Sequence, residues 1–303
     1  MITRDIEVFL GQVRACAPDF GPATARAAFL VSPDGFARAE QSALDNRYMD
    51  QAGRFDAERA QVLHRALQRA LSSEIPVFCF PGDPQTPDAV FPNNVFGTAP
   101  GRLVVGKMRH DVRAPEAARE DIRGFFTRAM GYEVVDLSAQ PHPCELTGAL
   151  VIDRARGLGF CGLSERCDEA GAGLMHEAFG LRATLLFDLA PGEYHTNVVL
   201  AVLAGRAALI SGQGFASQAA AEAIASVYWP HAVRLGQDEH RAFAANAIAL
   251  DPATVWLSQG AQAALSTASA AALLSAGFGV RSVPLDAIES AGGSLRCCVA
   301  EVF

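Results

Sequence analysis

The chain has 303 residues, half of them hydrophobic and 19% charged, so it can bury a large core and is not generally disordered. Lys+Arg 25 against Asp+Glu 33 leaves a net charge of −8. That balance argues against nucleic-acid and anionic-membrane partners, which normally need a basic face.

In chain order, MITRDIEVFLGQ carries acids early and lacks the apolar centre of a signal peptide. No run of about 18 uninterrupted apolar residues follows to span a bilayer. The seven cysteines (16, 79, 144, 161, 167, 297 and 298) are odd in number and lack CxxC spacing. They describe neither a disulfide scaffold nor a zinc ribbon, so a reducing cytoplasm is the expected compartment. A strand is expected at AAFLVS (27–32), a helix over 51–72 and a strand at IPVFCF (75–80). The Pro- and Asp-rich stretch PGDPQTPDAVFPNN (81–94) reads as a connector or as a rim beside Asn94.

A pattern then repeats. Two apolar runs across a turn occur at 96–108, 149–163, 198–210 and 247–258. Amphipathic helices are expected at 115–130, 168–179, 216–227 and 261–276, and short strands at 132–137, 183–187, 232–235 and 280–285. The unit is strand, strand, helix, strand, with a period near 50 residues. Such a period points to a closed or stacked array. The first unit lacks a hairpin of its own, and pairing AAFLVS with the terminal CCVAEVF (297–303) closes a ring of five. The expected organisation is one α/β domain over 1–303 with five internal repeats.

Side chains with chemistry recur in phase with those repeats. Asn94, Glu145, His195, Asn246 and Cys297 are separated by 51, 50, 51 and 51 residues. Units arranged about an axis bring such positions to one end of it. A thiol, an imidazole and a carboxylate meeting there supply a nucleophile, a base and an orienting group. Cys297 follows AGGSLR, a glycine turn that lets the backbone approach closely. Cys298 is expected on the opposite face, in the core. The other histidines have no partners at ligand spacing, so no metal is expected.

The motifs FPNN (91–94), ELTGALVIDR (145–154), GLSER (162–166), HTNVVL (195–200) and GGSLRCCVAEVF (292–303) resemble the guanidine-modifying or pentein superfamily. The resemblance runs from about residue 27 onward and implies a five-bladed α/β propeller. It implies Cys297 as nucleophile, His195 as general acid/base and Glu145 as the carboxylate contacting substrate nitrogens or the histidine. It places Arg113 and Arg166 where related hydrolases hold the substrate α-carboxylate. Deiminases of the superfamily usually carry aspartates where Asn94 and Asn197 stand here. An amide donates as well as accepts hydrogen bonds and so can face a ureido oxygen, which a carboxylate repels. Asn94, Asn197 and Asn246 are therefore taken as substrate-binding. Leu146 stands where a glycine commonly follows the family glutamate, which bears on how Glu145 is placed.

The expected activity is cofactor-free hydrolysis of citrulline or arginine to ornithine, with a small amino acid as the partner. A dimethylarginine hydrolase or an arginine deiminase, both giving citrulline, are the alternatives within the class. Beyond them stand an amidinotransferase and a non-catalytic binding propeller. A homodimer is compatible with all of these.

Overall fold

The computed structural model describes residues 1–49 and 55–303. The start of the helix expected over 51–72 lies outside the described residues up to 54. Within them the helix spans Ala57–Leu71, where the Asp56 side chain accepts the Arg59 N–H as a cap. Ala60, Leu63, Leu67 and Leu71 recur at helical spacing and are buried against Trp256, Val283 and Ile288. Each fully buried leucine there contributes about 1.5–3 kcal/mol.

The strands form five small sheets. In the first, Ala300–Val302 runs antiparallel to Ala27–Val31, which pairs in parallel with Val77–Phe80. Ala300 lies opposite Phe29, so the last strand pairs with the first strand of the repeats and closes the ring. The second sheet holds Phe96–Ala99, Arg102–Val105 and Glu133–Asp136, and the third Leu150–Asp153, Leu158–Leu163 and Ala183–Asp188. The fourth holds Leu200–Leu203, Ala207–Ile210 and Ala232–Arg234, and the fifth Thr254–Ser258 and Gly279–Val283. In the first four, an antiparallel pair is followed by a parallel strand reached through a covering segment. This is a five-bladed α/β propeller. The opening strands of neighbouring blades touch, as Leu150–Asp153 does Leu200–Leu203 and Ala300–Val302 does Phe96–Ala99.

The repeat departs from expectation in four places. The helix expected over 115–130 breaks into a 3-10 turn Asp111–Ala118, a helix Glu120–Gly124 and a π-turn Phe125–Ala129. Pro115 lacks the N–H that a regular helix needs. The helix expected over 261–276 becomes Gln259–Ala264 and Thr267–Ser275, because the Ser266 side chain caps the second piece by accepting the Ser269 N–H. In the fifth blade the first hairpin arm is reduced to one bridge, Ile248 with Trp256. There Asp251 takes the N–H groups of Ala253 and Thr254, a local turn that competes with the ladder. Finally, Ile2–Thr3 adds in parallel to Ala183–Asp188, and the following helix Ile6–Val13 buries Phe9 on the third blade. Among the described residues no helix is long and apolar enough to cross a membrane.

Candidate active site

A single helical turn precedes the opening strand in four blades: Pro92–Asn94, Leu146–Ala149, Thr196–Val199 and Leu295–Cys298. These turns, invisible in the apolar pattern, lift one residue per blade to the same end of the axis. Beneath them a ring of hydrogen bonds closes on itself. Thr147 Oγ1 donates to Asn93 Oδ1 (2.5 Å), Asn197 Nδ2 to Thr147 O (3.2 Å) and Asn246 Nδ2 to Asn197 O (2.9 Å). Arg296 N then donates to Asn246 Oδ1 (2.9 Å) and Arg296 Nη1 to Asn93 Oδ1 (2.5 Å). Each blade supplies one member.

Above that ring stand the ionisable groups. His195 Nε2 lies 2.8 Å from Glu145 Oε2, and both side chains are fully buried. Glu145 Oε1 accepts the Arg109 N–H at 3.1 Å, and Arg166 Nη1 approaches Oε2 at 3.4 Å. Burial opposes ionisation of Glu145, but Arg166, His195 and Arg113 outweigh it and hold the carboxyl well below its usual range. Burial also lowers His195 below an ordinary imidazole, although Glu145 pulls the other way. Cys297 is 1% exposed. Burial pushes its thiol up, offset in part by the Asn246 amide, the Ser294 backbone, Arg296 and Arg113. Asn246 Nδ2 donates to Cys297 Sγ at 3.4 Å, and Asn197 Oδ1 lies 3.9 Å from it. Both shifts favour the uncharged forms, thiol and imidazole.

Two glycines allow this closeness. A Cβ on Gly148 meets Asn94 Oδ1 at 2.7 Å and His195 Cε1 at 2.8 Å, so any side chain there collides with both. Gly292 has φ +86, and a Cβ on it falls 2.3 Å from Asn46 Nδ2. Leu146 keeps φ +22, a left-handed backbone that glycine takes freely. The residue after Glu145 thus holds a glycine-like conformation despite its side chain, at a strain of about 1–3 kcal/mol.

Arg113 and Arg166 are both 2% exposed, so neither guanidinium lies at the surface. Arg113 Nε and Nη2 each reach Glu116 at 2.8 Å, and Arg166 grips Asp45 at 2.8 and 2.6 Å. They line one narrow cavity with Cys297, Asn94 and Asp88, roofed by Ser42, Asn46 and Met49. Asn94 Oδ1 and His195 Nδ1 have no hydrogen-bond partner, nor has Asp88 Oδ1. Burial raises the Asp88 carboxyl, while Arg113, Ser42 and Arg166 draw it back.

Sequence reasoning brought Asn94, Glu145, His195, Asn246 and Cys297 together, and the structure assembles all five. Asn197 and Asn246 differ from expectation in one respect. Asn197 Nδ2 and Asn246 Nδ2 donate to backbone carbonyls of the ring, and Asn246 shares its amide between that carbonyl and the Cys297 sulfur. Asn94 alone presents a free amide oxygen. Asp45, Asp88, Glu116 and the roof were missed. Asp88 sits in the Pro- and Asp-rich stretch already noted, whereas Asp45 lies in a segment with no period. Cys298 is fully buried in the core as expected, but it shares the helical turn Leu295–Cys298 and the core cluster with Cys297, so strand alternation does not separate the two. Among the described residues no cluster of His, Cys, Asp or Glu has metal-binding geometry.

Fold and site together define a member of the guanidine-modifying, or pentein, superfamily. Residues 32–303 match the family described as eukaryotic N,N dimethylarginine dimethylhydrolase, and the chain belongs to that family. No curated protein matches the sequence. Among solved structures, the product-bound N-terminal domain of ArgZ, a cyanobacterial arginine dihydrolase, superposes with a TM-score of 0.79 at 20% identity, covering 91% of this chain and 97% of that one. Unliganded AgrE gives 0.80 at 20% identity, covering 91% of this chain and 39% of its own. A dimethylarginine dimethylaminohydrolase bearing an S-methyl-L-thiocitrulline adduct gives 0.68 at 17% identity, with 91% and 99% covered.

Proposed function

We propose that this chain hydrolyses arginine and citrulline to ornithine at Cys297. Cys297 is the nucleophile, His195 the general acid and base, and Glu145 the group that orients the imidazole. Proton transfer from the Cys297 thiol to His195 creates the attacking thiolate. It adds to the guanidino carbon, and His195 returns the proton to departing ammonia, leaving a thiouronium on sulfur. Water, deprotonated by His195, then releases citrulline and the free thiol. In the second round the thiolate adds to the ureido carbon and ornithine departs with a proton from His195. Water frees the S-carbamoyl group as carbamate, which decomposes. Arginine and two waters thus give ornithine, two ammonia and one carbon dioxide.

The observation that carries this reading is Asn94. Asn94 lines the cavity of Cys297 with its amide oxygen unpartnered, and a neutral side chain there tolerates both the cationic guanidinium and the uncharged ureido group. Arg113 and Arg166 face the same cavity and suit an α-carboxylate, with Asp88 beside them for the α-amino group. Their existing partners Glu116 and Asp45 hold each guanidinium in place. Substrate entry displaces the roof of Ser42, Asn46 and Met49. The Asn246 amide N–H steadies the thiolate, whereas Asn197 Oδ1 accepts from the protonated thiol. The name of the matching family favours a second reading, in which dimethylarginine gives citrulline. The ArgZ relatives favour the first.

The whole of 1–303 is taken as one catalytic domain, with a reducing cytoplasm as its compartment and a homodimer as an allowed assembly. Incubating the protein with arginine, citrulline and dimethylarginine and measuring ornithine, citrulline, ammonia and dimethylamine tests the proposal. Ornithine from arginine with two equivalents of ammonia is expected. Citrulline accumulating from dimethylarginine alone selects the second reading, and no product from any of the three leaves a binding propeller.

A further inference from the structure

The opening strands run from the Cys297 end of the axis toward its far end. Between them, beneath the hydrogen-bonded ring, lies a second cavity of about 40 Å³. Thr147, Asn197 and Arg296 of the ring line it, together with Ala23, Arg154 and Glu301. At about 10–15 Å³ per water, it holds roughly three waters or one small ion with its hydration.

Charge in this cavity does not balance. Glu301 is taken by Arg296 at 2.8 Å. Arg154 is 8% exposed, and its guanidinium makes one hydrogen bond, from Nη1 to Thr98 O at 2.9 Å. Among the described residues no carboxylate lies within ion-pair distance of it. Its remaining contacts are the faces of Phe303 (4.2 Å) and Phe179 (5.2 Å). Aromatic faces attract a cation but do not neutralise it. Burial pulls Arg154 down to about 10, and nearby Arg296 adds to that effect while Glu301 opposes it. Two guanidiniums and one carboxylate therefore leave one positive charge beside a recessed, partly open polar space.

We infer that the axial cavity beneath the Cys297 site binds a small monovalent inorganic anion, a halide or nitrate, on the free N–H groups of Arg154. An isolated buried cation is costly, and an anion seated against it removes most of that cost. The site is separate from the thiol, because the ring stands between them, and it does not depend on the reaction proposed above.

Bromide is the probe, titrated into gluconate buffer at constant ionic strength, since gluconate is too bulky for the cavity. The native protein is expected to show a saturable rise in Tm, on the order of 2–4 °C at tenfold excess over Kd. A crystal in bromide is expected to show an anomalous peak within hydrogen-bond reach of Arg154. Arg154→Met is expected to flatten the titration. Glu301→Gln frees the second guanidinium and is expected to tighten bromide on the order of tenfold. A native titration that never saturates, or bromide peaks elsewhere with none at Arg154, overturns the inference. So does an Arg154→Met response equal to the native one. Should Arg154→Met not fold, an unchanged affinity in Glu301→Gln overturns it alone.

Discussion

The two ends of the propeller axis bury charge in opposite ways. At the Cys297 end the buried charges are paired, Glu145 with His195 and Arg166, Arg166 with Asp45 and Arg113 with Glu116, Asp88 alone among them keeping an unpartnered oxygen. At the far end Arg154 has a single carbonyl and two aromatic faces. A third solution lies outside the axis. His64, 1% exposed with Nε2 unpartnered, is pushed down to about 4 by burial and so is neutral near pH 7. Paired charge can be redistributed during a reaction, whereas a neutralised or unpaired group has nothing to exchange. The difference is why chemistry is assigned to one end and ion binding to the other.

The sharpest way to break that assignment is at the thiol. Cys297→Ala is expected to abolish turnover, by a factor of at least about 10³, while circular dichroism and Tm show a retained fold. Unchanged turnover would remove the hydrolase reading altogether. Next, Glu145→Gln keeps the shape but removes the charge that orients His195. A loss of about 10²–10³ in kcat is expected, with KM nearly constant. A pure rise in KM would mean that Glu145 serves substrate binding instead.

His64 gives a stability effect in the same range of equilibrium constants. Its folded pKa lies below the ordinary 6.5, so the unfolded chain binds the extra proton first. Stability is complete above about pH 6.5 and falls as pH drops toward 4, by about 3 kcal/mol from this residue. Urea denaturation of the native protein and of His64→Gln across pH 4 to 7 should show a shallower slope in the variant.

At the substrate cavity, Asn94→Asp is expected to lower citrulline turnover relative to arginine by about tenfold or more, because a carboxylate repels the ureido oxygen. An unchanged ratio would take the double specificity away from Asn94. The smallest effect is a flat one. Between a lowered His195 and a raised Cys297, the fraction of thiolate–imidazolium pair does not change with pH. Citrulline kcat/KM is therefore expected to vary less than about twofold from pH 7 to 8, falling on the acid side as His195 gains a proton and on the alkaline side as Cys297 loses one. A tenfold rise over that interval would show that thiol ionisation alone limits the rate.

Much of this was legible in the residues. The near-constant spacing from Asn94 to Cys297 exposed the repeat, and the apolar pattern placed most strands within two residues. What stayed hidden had a physical reason. Four-residue helical turns such as Leu146–Ala149 are too short to carry a period. Asp45 and the roof at Ser42 and Asn46 lie in irregular chain, where contacts are decided by packing across the molecule. Glu116 follows Arg113 by three residues, but the helix was expected to begin only at 115, whereas the 3-10 turn Asp111–Ala118 takes in both. Arg154 sat within a quoted motif, yet its lack of a partner depends on four other blades.

The pairing of Ala300–Val302 with Ala27–Val31 carries one more consequence. Linear repeat arrays expose two terminal units and need polar caps to stay soluble, and they lengthen or shorten by whole units without losing their geometry. Here the first blade is stitched from both ends of the propeller, so no unit is terminal and none needs a cap. The repeat number is locked at five: a sixth blade would open the seam, and the strand after the nucleophile would lose its neighbour.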